Sequence, residues 1–155
     1  MDASDLHVAL QPITAQLAGR ALDRELQDWL NATYPADGEV FAQVRAVCQA
    51  GVGDGWLCQR EAGGIRFGRV FKPDLALQGF SVDVVSMTDV VGPYHVHPNG
   101  EIDLIMPLDA HARFDSHGAG WLVYPPGSAH PPTVAGGTAL VLYLLPAGAI
   151  EFTRA

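Results

Sequence analysis

The sequence predicts a mainly β domain, a sandwich or barrel, that follows an N-terminal helical segment. Short runs rich in β-branched, aromatic and aliphatic residues succeed one another beyond Gly63 and Gly64, separated by Gly, Pro, Asp and Asn. Before that point the apolar residues recur at helical spacing instead. Several short strands at such intervals indicate a sandwich or barrel rather than a β-α-β sheet. The predicted strands span residues 65–70, 80–87, 101–108, 121–124 and 138–145.

The N-terminal segment is predicted to contain two helices. Apolar spacing predicts an amphipathic helix over residues 12–30, beginning at Pro12 because proline is tolerated in a first helical turn. A second helix is predicted over residues 39–49, before a run of glycines. Because the glycines and prolines are spread as turns, residues 1–60 are expected to pack on a β-barrel part, residues 65–152, within a single domain spanning residues 1–155. The apolar residues at helical spacing are Leu6, Leu10, Ile13, Leu17, Leu26 and Leu30.

The composition of the chain argues against several classes of partner. With 155 residues, 48% of them hydrophobic and 17% charged, the chain suits one compact globule. The net charge of -8 argues against nucleic acid or an anionic membrane, because both attract clustered Lys and Arg. The sequence has no glycine-rich dinucleotide fingerprint, so we expect no nucleotide cofactor.

Several features of the sequence predict the cellular location of the protein. No apolar stretch approaches the roughly 20 residues that span a bilayer. Residues 1–10 lack the basic region and apolar run of a secretion signal. Cys48 and Cys58 form no CxxC pair. We therefore predict a cytoplasmic protein with reduced thiols.

One segment carries residues suited to metal chemistry. Residues 95–101 have the sequence HVHPNGE. In an extended chain alternate side chains share a face, so His95 and His97 point the same way, and Glu101 returns to that face after the turn. Downstream, the tight turn in PPGSAH brings His130 onto a neighbouring strand. Imidazoles and a carboxylate suit one divalent transition metal (Fe, Mn, Ni or Zn) and leave positions open for water or substrate.

These two motifs resemble the signature motifs of the cupin superfamily. The first pairs HxH with a later Glu and is matched by His95, His97 and Glu101; the second, PxGxxH, ends at His130. The resemblance implies a cupin-type (double-stranded β-helix, or jelly-roll) barrel over residues 65–152, with a metal held by these four side chains. The sequence departs from the family pattern at three turn-shaping positions, Asp89, Leu108 and Val134.

Three further residues are candidates for roles beside the metal. Asp103 has the strand parity of Glu101, so it is expected to face the lumen and orient an imidazole or act as a general acid or base. An aspartate at the barrel rim is the alternative. Tyr94 and Tyr124 flank the motifs and are candidates for hydrogen bonds to a substrate, with aromatic packing as the alternative.

Two arginines are candidates for binding an anionic substrate. Arg66 and Arg113 lie in or beside predicted strands, and an arginine that reached inward would pair bidentately with a carboxylate. A solvated strand face is the alternative for both. We expect His7, His111 and His117, which lie outside the motifs, to be solvated.

A wider stretch is similar to the bacterial 4-hydroxylaminobenzoate lyase family. The similarity lies in residues 92–108, 118–128, 142–146 and 150–152, behind a comparable helical segment. It implies the conversion of 4-hydroxylaminobenzoate, a small aromatic carboxylate, to protocatechuate with release of ammonia. The catalytic candidates are then Glu101 and the proton carrier Asp103. The substrate-binding candidates are Arg66, Arg113, Tyr94 and Tyr124.

Two other functions fit the same ligand set. An iron cupin dioxygenase acting on an aromatic or thiol substrate would consume oxygen during turnover. A non-catalytic metal cupin would bind small ligands without converting them. In either case exposed apolar strand edges would favour a homodimer.

Overall fold

The computed structural model of the chain describes residues 1–153, where three α-helices precede ten strands. None of the helices in this range has the length and apolar character needed to cross a bilayer. The helices are α1 (Ala3–Leu17), α2 (Arg24–Thr33) and α3 (Glu39–Asp54). The strands are β1 (Arg60–Ala62), β2 (Ile65–Phe71), β3 (Phe80–Val91), β4 (His95–His97), β5 (Glu101–Pro107), β6 (Arg113–Phe114), β7 (Gly120–Tyr124), β8 (Ser128–His130), β9 (Thr133–Pro146) and β10 (Glu151–Phe152).

The prediction of one helix over residues 12–30 is wrong, because the segment forms α1 and α2. The Asp2 side chain accepts a hydrogen bond from the Ser4 N–H (3.0 Å), and the Asp5 carboxylate accepts one from the Asp2 N–H (2.7 Å). This reciprocal cap starts α1 well before Pro12, which lies inside the helix. The apolar spacing continues from α1 into α2, so periodicity alone does not reveal the break between them.

The second predicted helix is present as α3, but it continues past residue 49 to Asp54. Gly51 lies within it, and a Cβ at that position would stand 2.7 Å from Cδ1 of Leu57. The helix ends at Gly55, which has φ 84° and donates a hydrogen bond to the Gly51 carbonyl (3.0 Å). Gly51 therefore permits close packing inside the helix, and the residue that ends the helix is Gly55.

The five predicted strands are all present and belong to one antiparallel sheet. Its order is β1-β2-β3-β9-β5-β7, with β6 paired to β9. A second antiparallel sheet has the order β10-β4-β8. These two sheets confirm the predicted mainly β architecture of cupin type with an N-terminal helical segment.

Alternate side chains of the large sheet pack into two different cores. On β9, Leu142 and Leu144 belong to a core that also contains buried side chains of all three helices. Tyr143 belongs to the other core, together with Phe114. The ring of Phe114 lies 6.1 Å from that of His130 on β8, so this second core faces the small sheet. The lumen of the barrel is therefore the face that carries Tyr143.

Two side chains that depart from expectation, those of His7 and Asp89, make contacts that connect different elements of the fold. His7 was expected to be solvated, but its Nε2 lies 2.8 Å from Oδ2 of Asp74, whereas His111 and His117 are exposed as predicted. Asp89 replaces a family glycine and adopts the left-handed φ of 42°, which aspartate tolerates better than most residues. Its Oδ1 accepts a hydrogen bond from the Gly136 N–H (2.8 Å), which ties β3 to β9.

The outer edge of β7 is covered by side chains of α2. Nδ2 of Asn31 donates to the Trp121 carbonyl (2.9 Å), and its Oδ1 accepts from the Trp121 N–H (2.8 Å). Oε1 of Gln27 accepts from the Val123 N–H (2.9 Å). These amides replace the backbone of a neighbouring strand and satisfy the polar groups of a sheet edge.

Replacement of Asn31 by leucine is expected to lower the free energy of unfolding by about 1–3 kcal/mol, because the Trp121 N–H and C=O would lose these partners in a partly buried position. Urea unfolding followed by circular dichroism measures the change. Glu25→Ala, on the exposed side of α2, is the control and should alter stability by less than about 0.5 kcal/mol. Equal stability of the two variants would contradict this account of the edge.

Candidate metal centre

Strand β4 and the turn after it bring three polar side chains to one point. His95 and His97 are two residues apart on β4 and both are buried, so they share the lumen face. Gly100 has φ 85°, and a Cβ there would stand 2.8 Å from the Tyr124 carbonyl oxygen. Only glycine fits this position. The turn that it permits returns Glu101 to the face of the two histidines.

His130 reaches the same point from strand β8. Gly127 has φ 81°, and its N–H donates to the His97 carbonyl (2.8 Å), which fastens the turn before β8 against β4. In the antiparallel pairing of these strands His130 stands directly opposite His95. The structure thus brings together the four side chains that the sequence motifs single out.

The four side chains form a tight and buried cluster. One ligand-type atom from each lies within 4.8 Å of those of the others. From the Glu101 carboxylate to Nε2 the distances are 3.2 Å for His97 and 3.8 Å for both His95 and His130. His97 and Glu101 are fully shielded from solvent, and His130 is the most exposed at 9%.

The polar atoms of this cluster fit a bound cation. Among residues 1–153 the three Nε2 atoms and both carboxylate oxygens of Glu101 have no hydrogen-bond partner. Buried polar atoms without partners are costly, so five of them around one point are explained by a cation that they share. Three imidazoles with one carboxylate suit first-row divalent ions and leave coordination positions free.

Two histidines have their outer nitrogen directed at an oxygen atom. Nδ1 of His95 lies 3.2 Å from the Pro93 carbonyl, and Nδ1 of His97 lies 3.0 Å from Oγ of Ser128. The Ser128 hydroxyl donates to the Pro125 carbonyl (2.6 Å), so its oxygen is available to accept from His97. These contacts favour the tautomer with the proton on Nδ1, which leaves the Nε2 lone pair for a metal.

The carboxylate of Asp115 likewise contacts the outer nitrogen, Nδ1, of His130. Its Oδ2 lies 2.5 Å from Nδ1 of His130 and also accepts from the Tyr124 hydroxyl, while its Oδ1 accepts from the Thr133 N–H (2.9 Å). Burial raises the pKa of Asp115, but hydrogen bonds from His130 and Tyr124 outweigh it and lower the pKa. An ionised Asp115 therefore orients the His130 ring. The Tyr124 hydroxyl, predicted to bind substrate, is hydrogen-bonded to Asp115.

Two carboxyl groups on β5 have opposite pKa shifts. Burial raises the pKa of Glu101, but the imidazoles of His95 and His97 outweigh it and hold that pKa below its usual value. The pKa of Asp103 is raised by complete burial and by the negative charge of Glu101. Neither carboxyl oxygen of Asp103 has a hydrogen-bond partner among the described residues. Asp103 therefore faces the lumen beside Glu101, and its raised pKa favours the protonated carboxyl.

Sequence reasoning missed Asp115 and Tyr143. Asp115 and Ser116 form a tight hairpin turn with φ values of 48° and 69°. The approach of this turn to His130 depends on the pairing of β6 with β9, which no local motif shows. Tyr143 stands opposite Asp103 in the sheet and is buried in the lumen. Alternation along β9 would have identified it once the lumen face was known.

The structure does not bring three of the predicted substrate-binding residues to the cluster. Arg66 alternates with the lumen-side residues Ile65 and Phe67, so it projects from the opposite face of β2. Arg113 is exposed, and Tyr94 precedes His95 and therefore points away from the cluster. Arg66 and Arg113 thus lie on exposed strand faces, which was the alternative for both, because sequence alternation does not specify which face of a strand is inside.

Comparisons with known proteins agree with the motifs. Residues 8–152 match the family described as "PnbB: 4-hydroxylaminobenzoate lyase". The chain is similar to a 4-hydroxylaminobenzoate lyase of Nocardioides sp. (strain LMS-CY), with 35% identity over 96% of this chain and 93% of that protein. A 4-hydroxylaminobenzoate lyase of Pseudomonas putida is 30% identical over 89% of this chain and 88% of its own length.

Solved structures of other proteins are similar in fold alone. An RmlC-like cupin protein from Ralstonia eutropha JMP134 is 16% identical, with a TM-score of 0.45 over 60% of this chain and 62% of that chain. Oxalate oxidase in complex with the substrate analogue glycolate is 18% identical, with a TM-score of 0.42 over 60% of this chain and 57% of that chain.

Replacement of Asp115 by asparagine is expected to weaken Zn²⁺ binding about 10- to 100-fold. One amide oxygen cannot accept hydrogen bonds from His130, Tyr124 and Thr133 together, so the His130 ring loses its fixed orientation. Competition with a chromophoric chelator measures the affinity, and Asp37→Asn, an exposed change on the helical side, is the control. An unchanged affinity in Asp115→Asn would remove Asp115 from the support of the metal centre.

Proposed function

The chain belongs to the 4-hydroxylaminobenzoate lyase family, and we propose that it converts 4-hydroxylaminobenzoate to protocatechuate and ammonia at the cluster of His95, His97, Glu101 and His130. The observation that carries this proposal is the convergence, inside the barrel, of five polar atoms of these residues that have no hydrogen-bond partner among residues 1–153, beside Asp103, whose pKa is raised. The similarity to two 4-hydroxylaminobenzoate lyases along nearly the whole chain supports the choice of substrate.

The proposed reaction is balanced without oxygen or an external reductant. One aryl hydroxylamine and one water contain the same atoms as one catechol and one ammonia. The nitrogen gains two electrons when its bond to oxygen breaks, and the ring loses two when it gains an oxygen. The reaction is therefore an internal redox exchange, and a site without a nucleotide cofactor is sufficient for it.

The four clustered residues would hold one divalent transition metal. Bound there, such an ion supplies Lewis acidity next to the hydroxylamino oxygen. The protein fixes the three Nε2 atoms through the Nδ1 contacts of each ring. Their tautomers and orientations are therefore set before substrate arrives, which lowers the reorganisation required during reaction.

Asp103 is the proton source that the geometry offers. Its carboxyl sits on the same strand face as Glu101, and burial together with the charge of Glu101 raises its pKa, which favours the protonated form. We assign it the transfer of a proton to the departing hydroxyl, so that the N–O bond breaks and water leaves. The Asp103 carboxylate then accepts a proton from the water that adds to the adjacent ring carbon. A second water hydrolyses the ring imine to a ketone and releases ammonia, and loss of the ring proton restores the catechol.

The proposal includes a cytoplasmic location, supported by the free thiols of Cys48 and Cys58. Both thiols are buried, and burial raises the pKa of Cys48 to about 12 and that of Cys58 to about 11. They are therefore unreactive at neutral pH. The homodimer stays a prediction.

Purified protein loaded with metal is expected to convert 4-hydroxylaminobenzoate under anaerobic conditions, with protocatechuate and ammonia formed in equal amounts. Removal of the metal with a chelator should abolish turnover, and restoring the metal should recover it. The two products are measured together by chromatography and an ammonia assay. Turnover that consumes oxygen would instead indicate a dioxygenase, and binding without turnover would indicate a ligand-binding cupin.

Asp103→Asn is expected to lower kcat about 10²- to 10⁴-fold, because an amide has nearly the same shape but cannot donate an acidic proton. The metal content should not change, since Asp103 is outside the set of four ligands. Steady-state kinetics and elemental analysis measure the two quantities, with Asp54→Asn at the exposed end of α3 as the control. Full activity in Asp103→Asn would exclude it as the proton source.

A further inference from the structure

A cavity of about 440 Å³ opens where the hairpin of β1 and β2 faces strand β10. Its volume falls in the range of pockets that bind small molecules. We propose that this cavity receives the substrate ring and that Arg60 binds the ring carboxylate, an inference that rests on the proposed function. The lining residues that carry the argument are Arg60, Phe67, Arg69, Asp83, Ile150 and Phe152.

The cavity adjoins the metal centre. Phe152 lines the cavity, and its ring centroid lies 5.5 Å from that of His95. The backbone pairing of β10 with β4 sets Phe152 opposite His95. Phe67, on another wall, packs against the lumen core. Phe152 therefore both lines the cavity and packs against the candidate metal ligand His95, and the walls offer two aromatic rings to a benzoate.

The orientation of Arg60 follows from the register of its hairpin. Arg60 pairs with Phe67, and residues directly opposite in a sheet project from the same face. Arg66 pairs instead with Glu61, on the other face of the hairpin. Of these two arginines, Arg60 is therefore the one on the side of the cavity and the lumen.

The charges of the cavity walls leave one cation free. Arg69 and Asp83 bind each other through two hydrogen bonds of 2.9 Å and 3.2 Å, and Arg69 also donates to the Gly148 carbonyl (3.2 Å). Arg60 has no ion-pair or hydrogen-bond partner within residues 1–153. The cavity thus has a net charge of about +1 in a protein whose net charge is -8. Such a site selects an anion.

A carboxylate is the anion whose shape matches this cation. The guanidinium group presents parallel N–H donors that a carboxylate accepts in pairs. In 4-hydroxylaminobenzoate the carboxylate and the hydroxylamino group stand at opposite ends of the ring. A ring whose carboxylate is bound by Arg60 therefore presents its hydroxylamino group at the end of the ring farthest from Arg60.

The test compares two substrates that differ only in the carboxylate. Arg60→Ala should raise KM for 4-hydroxylaminobenzoate about 10- to 100-fold and leave kcat/KM for N-phenylhydroxylamine within about twofold. Arg60→Lys should recover part of the loss. Arg24→Ala, on the exposed side of α2, is the control. Arg66→Ala tests the other arginine of the hairpin, and a larger loss there than in Arg60→Ala would overturn the proposal.

Binding of 4-aminobenzoate, which lacks the N–O bond, separates this proposal from the proposed function. Calorimetry on the metal-loaded protein should show binding that Arg60→Ala weakens by the same factor as KM rises. If the wild-type protein binds 4-aminobenzoate through Arg60 but converts no hydroxylamine, the anchor is supported and the lyase function is excluded. If it converts the substrate and Arg60→Ala changes neither KM nor binding, the anchor is wrong and the lyase function remains.

Discussion

The carboxylate of Glu101 lies in the lumen with three imidazole nitrogens at 3.2 to 3.8 Å and no hydrogen-bond donor in the part of the chain that the structure describes. A buried charge in this state is unfavourable unless positive charge compensates it. The small sheet places the histidine side chains around this carboxylate. Its two ligand strands have three residues each, and glycine turns direct their side chains inward. A cation at the centre would compensate the buried negative charge of Glu101. We therefore expect metal binding and folding of this sheet to be coupled.

The large sheet supplies the rigidity on which this arrangement depends. Strand β9 pairs along most of its length with β3 and also with β5 and β6. One face of the sheet is covered by the helices and the other closes the lumen. Asp103 and Tyr143 are therefore held by backbone pairing on both sides, and their positions relative to Glu101 do not depend on flexible loops. A proton donor held in this way, which is the role proposed for Asp103, needs little rearrangement during catalysis.

The sequence predicts the structural features that local residue spacing determines. It does not predict the features that depend on pairing between strands far apart in the chain. The ligand set follows from the parity of His95 and His97 and from two glycine-containing turns, so local reasoning identified it. The break between α1 and α2 interrupts no apolar pattern, so periodicity did not show it. Arg60 and Arg66 show how strand pairing decides the direction of a side chain. Both are arginines of one hairpin, but only the cross-strand register shows that Arg60 shares a face with Phe67. Asp115 required knowledge of how β6 pairs with β9.

Charge also constrains how a substrate can lie in this protein. The interior already holds two carboxyl groups, and the pKa of Asp103 is raised partly because Glu101 is ionised beside it. The cavity, in contrast, is lined by Arg60, which has no ion-pair partner in the part of the chain that the structure describes, and by the neutralised pair of Arg69 and Asp83. Our proposal therefore places the carboxylate end of the aromatic acid beside Arg60 and the uncharged hydroxylamino end toward the buried centre. In that orientation the N–O bond would face Asp103, the proposed proton donor.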